Sequence, residues 1–434
     1  MLRGLVLDLW DRSRRGWGFA SDHLAALFRQ ERDLSGPEKA WISQTLYGMI
    51  RQARRLEHAL SDSSPSGNAR LVAWRLLEGE IGVDAAAREL PGIDWGSVLG
   101  VDVRVAVEAD PVKRLALGRS LPDWLAARLL AEYPEDADAL AAALNVRPPV
   151  TVRANALKTT RDELAATLGR EGIASRPTPW ARFGLELTTP CAPYELKAFQ
   201  AGLFEVQDEG SQLVADLVAP PPGGLVVDAC AGAGGKTLAL GALLGGRGRI
   251  VAAEPSEARM AELRRRARRA GLTNIQPIEL PGGEWPEALT RLAGTADRVL
   301  VDAPCSGIGA LRRNPEARWR LTEEDVARLV GVQAGILDRA AELVAPGGRL
   351  VYATCTVLEA ENEGAVSRFR EAHPDFQPMR AVEIWGGELG RPVTDPTGTV
   401  LRLLPHRHGT DGFFAAVLRR APTKNAGSPG EEIV

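Results

Sequence analysis

Apolar residues in the first third of the chain recur at the spacing of amphipathic helices. Two such stripes contain Leu24, Leu27, Phe28, Ile42, Leu46, Met49 and Ile50. Further along, Pro122 stands at a first-turn position of another helix. The pattern predicts an all-helical domain over residues 1–143. Nothing in this region resembles catalytic apparatus, so we expect a docking or RNA-positioning module.

The pattern changes to a mixture of strand and helix over residues 144–217. Val150 to Arg153 alternates as a strand does, and Thr160 with Glu163 has the spacing of a capping box at a helix start. These features predict a small α+β segment of RRM-like organisation. The stretch 219–224, rich in proline and glycine, is a stiff connector at the start of the next domain, 218–420, and residues 421–434 have the character of a flexible tail.

From residue 225 onward, short apolar runs alternate with helical stretches. The runs end at Asp228, Glu254, Ile278, Asp302 and Thr354. Alternation of this kind is typical of a doubly wound, mostly parallel sheet, so we predict an α/β Rossmann-like fold for this domain. Two further strands are expected at 400–403 and 413–418.

Composition sets limits on the class of protein. The 434 residues are 45% hydrophobic and 25% charged, and no apolar run reaches the length of a membrane span. The first eight residues lack the features of a secretory signal, so we expect a cytoplasmic protein without a membrane partner. The net charge of −3 gives no sign of a nucleic-acid partner, although binding needs only a local basic face.

The four cysteines, at 191, 230, 305 and 355, form no C-x-x-C pair. We therefore expect free thiols and no metal site. His406 and His408 have the spacing of a metal-binding pair, but no other ligand accompanies them, and a surface loop is the preferred interpretation.

A glycine-rich turn follows the first strand of the predicted sheet, over residues 228–237. Such a turn lets the backbone approach a ligand closely, and Glu254, 26 residues after Asp228, could bind a ribose. This indicates an adenosine-containing cofactor and leaves NAD and S-adenosylmethionine (SAM) both open. Lys236 and Thr237 resemble the end of a phosphate-binding P-loop, but Cys230 stands where the first glycine of that motif is required.

Cys305 and Cys355 each follow the end of a predicted parallel strand, where ligands bind in open α/β sheets. Two thiols beside a methyl donor suggest methylation of carbon 5 of a pyrimidine. A thiolate that adds to carbon 6 makes carbon 5 nucleophilic, and Asp302 is placed to hold the base edge. The base must leave its stack to reach such a pocket.

Four segments together carry a family resemblance: 228–237, 302–307, 352–356 and 411–414. The chain resembles the RNA 5-methylcytosine methyltransferases of the Sun/NOL/NOP group over about residues 145–420. The helical region is similar to the NusB-type domain of a bacterial member that modifies small-subunit ribosomal RNA. DNA cytosine-5 methyltransferases share the Pro-Cys pair but follow it with a Glu-Asn-Val motif, which is missing after Cys305.

The resemblance implies a class I SAM-dependent methyltransferase fold. It also implies that Cys355 is the nucleophile and that Cys305 assists product release. The cofactor-binding positions that it implies are Asp228, Cys230, Ala231, Gly232, Ala233, Gly234, Gly235, Lys236, Glu254, Arg259 and Asp302. The chain departs from the family pattern at Gly232 and Ala233, which replace an Ala-Pro pair, and after the third strand, where an expected acid is missing. Backbone, Glu279 or Glu284 would then hold the adenine.

Basic and aromatic residues follow the Pro-Cys motif directly, and this mixture is suited to single-stranded RNA. The candidate RNA contacts are Arg312, Arg313, Arg318 and Trp319. We predict methylation of a cytosine in small-subunit (16S) ribosomal RNA by a monomer. Transfer RNA or another RNA is the alternative substrate. A NAD-dependent oxidoreductase and a non-catalytic assembly factor are the alternative classes of protein.

Overall fold

The structure is a computed structural model that describes residues 1–61, 65–386 and 391–422. The chain divides into two compact units. The first contains residues 1–147 and 310–325, and the second contains residues 148–309 and those from 326 onward. Pattern alone did not predict that 310–325 joins the helical unit. The predicted tail lies outside the described residues from position 423.

The regular elements among the described residues of the first unit are all helices. Numbered along the whole chain, its helices are α1 (Leu2–Arg14), α2 (Ala20–Gln30), α3 (Gly36–Arg51), α4 (Ala53–Ala59), α5 (Gly67–Leu77), α6 (Val83–Glu89), α7 (Trp95–Leu99), α8 (Val101–Ala106), α9 (Pro111–Arg119), α10 (Asp123–Glu132), α11 (Ala137–Ala143) and α18 (Ala317–Arg320). Ser35 and Glu38 form a capping box that fixes the start of α3. The apolar stripe of α3 is buried at Ile42, Leu46 and Met49, as its spacing predicts.

A small antiparallel sheet opens the second unit. Its strands are β1 (Val150–Ala154), β2 (Ser175–Pro177), β3 (Gly184–Leu187) and β4 (Phe204–Val206), in the spatial order β2-β3-β1-β4. The helices of this region are α12 (Arg161–Arg170), α13 (Lys197–Gln200) and α14 (Glu209–Leu217). The predicted capping box is present, since Thr160 Oγ1 accepts a hydrogen bond from the Glu163 amide at 3.2 Å. The strand and the helix start predicted here are therefore confirmed.

The larger sheet of the second unit has eight strands among the described residues. They are β5 (Leu225–Asp228), β6 (Arg249–Glu254), β7 (Ile275–Glu279), β8 (Ala296–Asp302), β9 (Val344–Thr354), β10 (Phe376–Met379), β11 (Leu401–Leu403) and β12 (Phe413–Arg420). The order is β10-β12-β9-β8-β5-β6-β7, and β11 pairs with β12. Strands β7, β6, β5, β8 and β9 are parallel to their neighbours in that series, while β10, β11 and β12 are antiparallel.

Helices cover this sheet. They are α15 (Gly235–Leu243), α16 (Glu257–Ala270), α17 (Glu287–Thr290), α19 (Glu323–Leu343), α20 (Glu363–Ala372), α21 (Ala381–Ile384) and α22 (Pro405–His408). Strand residues Val227, Val251, Val299 and Val351 are fully buried, which explains why these strands appear as continuous apolar runs. The fold class predicted from the sequence, a doubly wound and mostly parallel sheet, is confirmed.

Candidate active site

The carboxyl ends of four neighbouring strands carry the candidate site. Asp228 ends β5, Glu254 ends β6, Asp302 ends β8, and Thr354 ends β9. Strand order reverses between β5 and β8, and at such a switch point the loops diverge to leave a crevice for a ligand. The candidate chemistry is therefore gathered at one edge of one sheet, in the second unit alone.

The glycine-rich turn is fixed to Glu254 through backbone donors. One carboxylate oxygen accepts from the Gly232 amide at 2.9 Å, and the other accepts from the Ser256 amide at 2.9 Å. Gly234 has a φ of +87°, and a Cβ built there would lie 2.8 Å from Leu263 Cγ. Only glycine fits without strain at that position, so the close packing of this turn on α16 dictates the residue type.

Asp228 is 1% exposed, and one of its oxygens accepts a hydrogen bond from Thr237 Oγ1 at 2.7 Å. Its other oxygen, Oδ1, is buried and has no hydrogen-bond partner among the described residues. Burial raises the pKa of Asp228 to about 6; the Thr237 hydrogen bond opposes that rise and the Asp302 charge adds to it. An orphaned acceptor of this kind fits a site that a polar ligand completes.

Lys236 joins the glycine-rich turn to the cysteine-bearing side of the crevice. Its Nζ lies 2.7 Å from Asp302 Oδ2 and 5.1 Å from the centre of the Phe413 ring. Burial alone would lower the pKa of Lys236, but the charge and hydrogen bond of Asp302 outweigh it, so the pKa lies above its ordinary value. The sequence placed both residues in the site but did not reveal this ion pair, which links segments 66 residues apart.

The two cysteines meet, as the strand ends predict. Cys305 Sγ and Cys355 Sγ are 3.4 Å apart, and both residues are partly exposed. The hydrogen bond to Cys355 and burial raise the pKa of Cys305 well above its usual range. Both influences favour the neutral thiol form of Cys305.

Two glycines bring three of the motifs into contact. The Gly309 amide donates to the Cys355 carbonyl at 3.0 Å, and the Gly412 amide donates to the Gly309 carbonyl at 2.9 Å. A Cβ at Gly309 would clash with the Gly412 carbonyl and lie 2.8 Å from that of Cys355. The segment 411–414, one of the four family motifs, therefore packs its backbone against the loops that carry the cysteines.

The remaining cofactor candidates are placed less centrally. The side chain of Arg259 is exposed on α16. Glu279, one candidate for the missing adenine acid, is exposed and accepts from Arg264 at 2.9 Å. Glu284 is exposed as well.

The four residues predicted to contact RNA all belong to the first unit. Arg312 is 4% exposed, and Arg318 is fully buried and donates to the Asn145 side chain and to the carbonyls of Ser120 and Pro315. Trp319 donates its indole N–H to the Ile50 carbonyl at 3.1 Å, while Arg313 is half-buried. These contacts give Arg318 and Trp319 a structural task within the helical unit, and the sequence did not signal it.

The described residues include no cluster of His, Cys, Asp or Glu that could hold a metal ion. In the same part of the chain, every helix is too short or too polar to cross a bilayer.

Comparison with known proteins identifies the family. Residues 215–419 match the sequence profile of the 16S rRNA methyltransferase RsmB/F family, and residues 121–193 match that of a ferredoxin-like domain of RsmF/B-like methyltransferases. The chain is 36% identical to the probable ribosomal RNA small subunit methyltransferase B of Bacillus subtilis, over 96% of this chain and 90% of that protein. The chain belongs to the 16S rRNA methyltransferase RsmB/F family.

Other relatives agree with this membership. The ribosomal RNA small subunit methyltransferase B of Vibrio cholerae is 30% identical and covers 91% of this chain, with 92% of its own length matched. A crystal structure of a methyltransferase homolog from Pyrococcus horikoshii superposes with a TM-score of 0.62 and 27% identity, over 72% of this chain and all of that one. The family resemblance, the predicted fold class and the predicted cofactor are confirmed, while the similarity of the helical region to a NusB-type domain stays a prediction.

RsmB/F proteins are SAM-dependent methyltransferases, and the geometry of this crevice fits that cofactor. Gly232 has a φ of +53° and open space on the side where a Cβ would lie, so the turn leaves room for a ligand. The unpartnered oxygen of Asp228 and the carboxylate of Glu254 lie at adjacent strand ends and offer acceptors to it. Bound there, SAM supplies an activated methyl group on a sulfonium.

Proposed function

We propose that this RsmB/F family member methylates carbon 5 of a cytosine in 16S ribosomal RNA through a covalent adduct with Cys355. The observation that carries the proposal is the pair of thiols, 3.4 Å apart, beside the Lys236–Asp302 ion pair and the glycine-rich turn. The thiolate of Cys355 bonds to carbon 6, and carbon 5 becomes nucleophilic and takes the methyl group. Loss of the carbon 5 proton and cleavage of the carbon 6–sulfur bond then release the product.

The surroundings of Cys305 support the role assigned to it. Cys305 stays protonated because the hydrogen bond to Cys355 and burial raise its pKa, so it is poorly suited to nucleophilic attack. A neutral thiol in contact with the attacking sulfur is suited to assist the release step. Lys236 and Asp302 form a charged pair that can bind the polar edge of a cytosine taken out of its stack.

The test is a denaturing gel of wild type, Cys305→Ala and Cys355→Ala, each incubated with unmodified 16S ribosomal RNA and methyl-labelled SAM. We expect a labelled protein–RNA adduct to accumulate only with Cys305→Ala, because attack proceeds and release fails. Cys355→Ala should form no adduct and no methylated RNA.

Parallel lanes with transfer RNA, and a SAM-binding titration of each variant, separate the alternatives. An adduct only with Cys355→Ala would reverse the roles of the two cysteines. Labelling of transfer RNA alone would show that transfer RNA, and not 16S ribosomal RNA, is the substrate. SAM binding without methylation of either RNA by the wild type would contradict catalysis and favour an assembly factor.

A further inference from the structure

Two adjacent buried residues that take no part in the proposed reaction lie in the segment between β9 and α20. Glu361 is 0% exposed and Asn362 is 4% exposed. A carboxylate and an amide are costly to bury unless hydrogen bonds satisfy them. In sequence they attract attention only because Glu-Asn follows the second cysteine rather than the first.

The Glu361 carboxylate holds the loop that carries Cys305. It accepts from the Ser306 amide at 2.8 Å and from the Ser306 hydroxyl. It also accepts from Gln333 Nε2 at 3.0 Å, and the same nitrogen donates to the Pro304 carbonyl at 3.0 Å. The residues on both sides of Cys305 are thus attached to Glu361, one directly and one through Gln333.

The Asn362 amide holds the loop that carries Cys355 in the same manner. Its oxygen accepts from Thr354 Oγ1 at 2.5 Å, and its nitrogen donates to the Thr356 carbonyl at 3.2 Å. These two partners stand on either side of Cys355. One hydroxyl–hydroxyl contact, Ser306 Oγ to Thr356 Oγ1 at 2.8 Å, connects the two loops.

Glu361 itself is anchored from below. The hydroxyl of Tyr352, a fully buried residue of β9, donates to the Glu361 carbonyl at 2.6 Å. The backbone that presents both side chains is therefore fixed to the sheet, while their polar ends reach toward the cysteines. A short rigid segment of this kind can set the separation of two sulfur atoms to a fraction of an ångström, which is the precision that nucleophilic chemistry requires.

We propose that Glu361 and Asn362 are positioning residues with separate tasks: Asn362 sets Cys355 for attack, and Glu361 sets Cys305 for release. The inference rests on the proposed adduct chemistry. Neither residue touches the reacting atoms: each acts through the loop that it holds, and the negative charge of Glu361 also raises the pKa of Cys305. Disturbing one should therefore affect one step of the reaction.

The variants that test this are nearly isosteric. Asn362→Asp keeps the acceptor for Thr354 and removes the donor to the Thr356 carbonyl. Glu361→Gln keeps the volume and turns one acceptor into a donor that faces Ser306 or Gln333. Glu359→Gln is the matched control, because it makes the same change two residues earlier on an exposed side chain. Urea unfolding of each variant measures any loss of stability separately.

Two quantities are measured: the rate at which the RNA adduct forms and the level to which it accumulates. In the Cys305→Ala background, we expect Asn362→Asp to slow formation of the RNA adduct about tenfold or more. In a chain with both cysteines, we expect Glu361→Gln to let the adduct accumulate to at least about ten times the wild-type level, with its formation rate changed less than about twofold. Glu359→Gln should alter neither quantity.

A second readout needs no RNA. Alkylation by iodoacetamide, followed at each cysteine by mass spectrometry, should change mainly at Cys355 in Asn362→Asp and mainly at Cys305 in Glu361→Gln. Equal changes at both cysteines in both variants, or changes that follow unfolding free energy alone, would overturn the division of tasks. Absence of any adduct in Cys305→Ala would instead count against the proposed function, and the alkylation pattern would still decide the positioning inference.

Discussion

The two halves of the candidate active site lie on neighbouring strands of one sheet but are held in different ways. The cofactor edge, residues 228–237 with Glu254, is fixed largely by backbone amides and by glycines with positive φ. The cysteine edge, residues 303–307 and 354–356, is fixed by buried polar side chains that come from other parts of the chain. Backbone amides are sufficient to bind a flexible ligand. Two sulfur atoms that must take part in one reaction need loops that are held rigidly.

The largest effect should come from the cysteine edge, through Gly309→Ala. The new Cβ would overlap the Gly412 carbonyl and crowd that of Cys355, so both loops must shift. We expect methylation of 16S ribosomal RNA to fall by about 100-fold or more, since displacement of reacting groups by about 1 Å has that cost. The measurement is initial rate with labelled SAM.

Gly331→Ala is the matched control for this substitution. Gly331 lies within α19, and nothing is within 4 Å of its Cβ position. There alanine should raise the free energy of unfolding by about 0.5–1 kcal/mol and leave the rate unchanged. An active Gly309→Ala enzyme would show that the cysteine edge tolerates movement. That result would contradict the proposed difference in rigidity between the two edges.

The next effect concerns stability at the cofactor edge, through Asp228→Asn. Because burial raises the folded-state pKa of Asp228 from 3.8 to about 6, its contribution to stability is present below pH 4 and is lost as pH rises through about 6. The variant has no charge to bury. Its free energy of unfolding should equal that of wild type near pH 4 and exceed it by up to about 3 kcal/mol at pH 7.

Urea unfolding of both proteins without cofactor, from pH 4 to pH 8, provides the measurement. A constant difference across this range would mean that Asp228 does not titrate within it. Glu361→Gln gives the matching experiment at the cysteine edge. It removes a carboxylate that accepts several hydrogen bonds, so it should not stabilise the chain.

The smallest effects should appear on SAM affinity within the glycine-rich turn. Gly234→Ala places a Cβ 2.8 Å from Leu263 Cγ in a backbone of φ +87°, so we expect affinity to fall about tenfold. At Gly232 nothing lies within 4 Å of the Cβ position, so alanine meets only the backbone strain of φ +53°. That strain, about 1–2 kcal/mol, lowers the free energy of unfolding rather than the affinity for SAM. Calorimetric titration should therefore give a clearly lower SAM affinity for Gly234→Ala than for Gly232→Ala. The opposite order would contradict the packing argument.

These contrasts also explain what the sequence could reveal. The cofactor edge is local: Asp228, the glycines and Lys236 lie within ten residues, and the strand-turn-helix pattern around them predicted both fold and ligand class. The meeting of Cys305 and Cys355 followed from the rule that parallel strands end at one edge. Gln333 and Glu361 gave no such signal, because their partners are set by packing between distant helices and loops.

The arginines after the Pro-Cys motif show a different limit of the sequence. Composition made Arg318 resemble an RNA contact, but the pattern cannot show that its donors are used by Asn145 and by nearby carbonyls. Charge alone does not distinguish a guanidinium that meets phosphate from one that satisfies carbonyl groups inside a helical unit.

That burial has a consequence for how the protein is made. The first unit includes residues 310–325, so synthesis must pass through most of the second unit before Arg318 and Trp319 exist. Until then the carbonyls of Ile50 and Ser120 lack the side chains that bond them in the finished protein. Chains emerge from the ribosome amino-terminus first, yet here the earliest segment to appear is among the last that can be completed. A fragment that stops at residue 147 would be an unfinished bundle, and experiments on the helical unit should use the full chain.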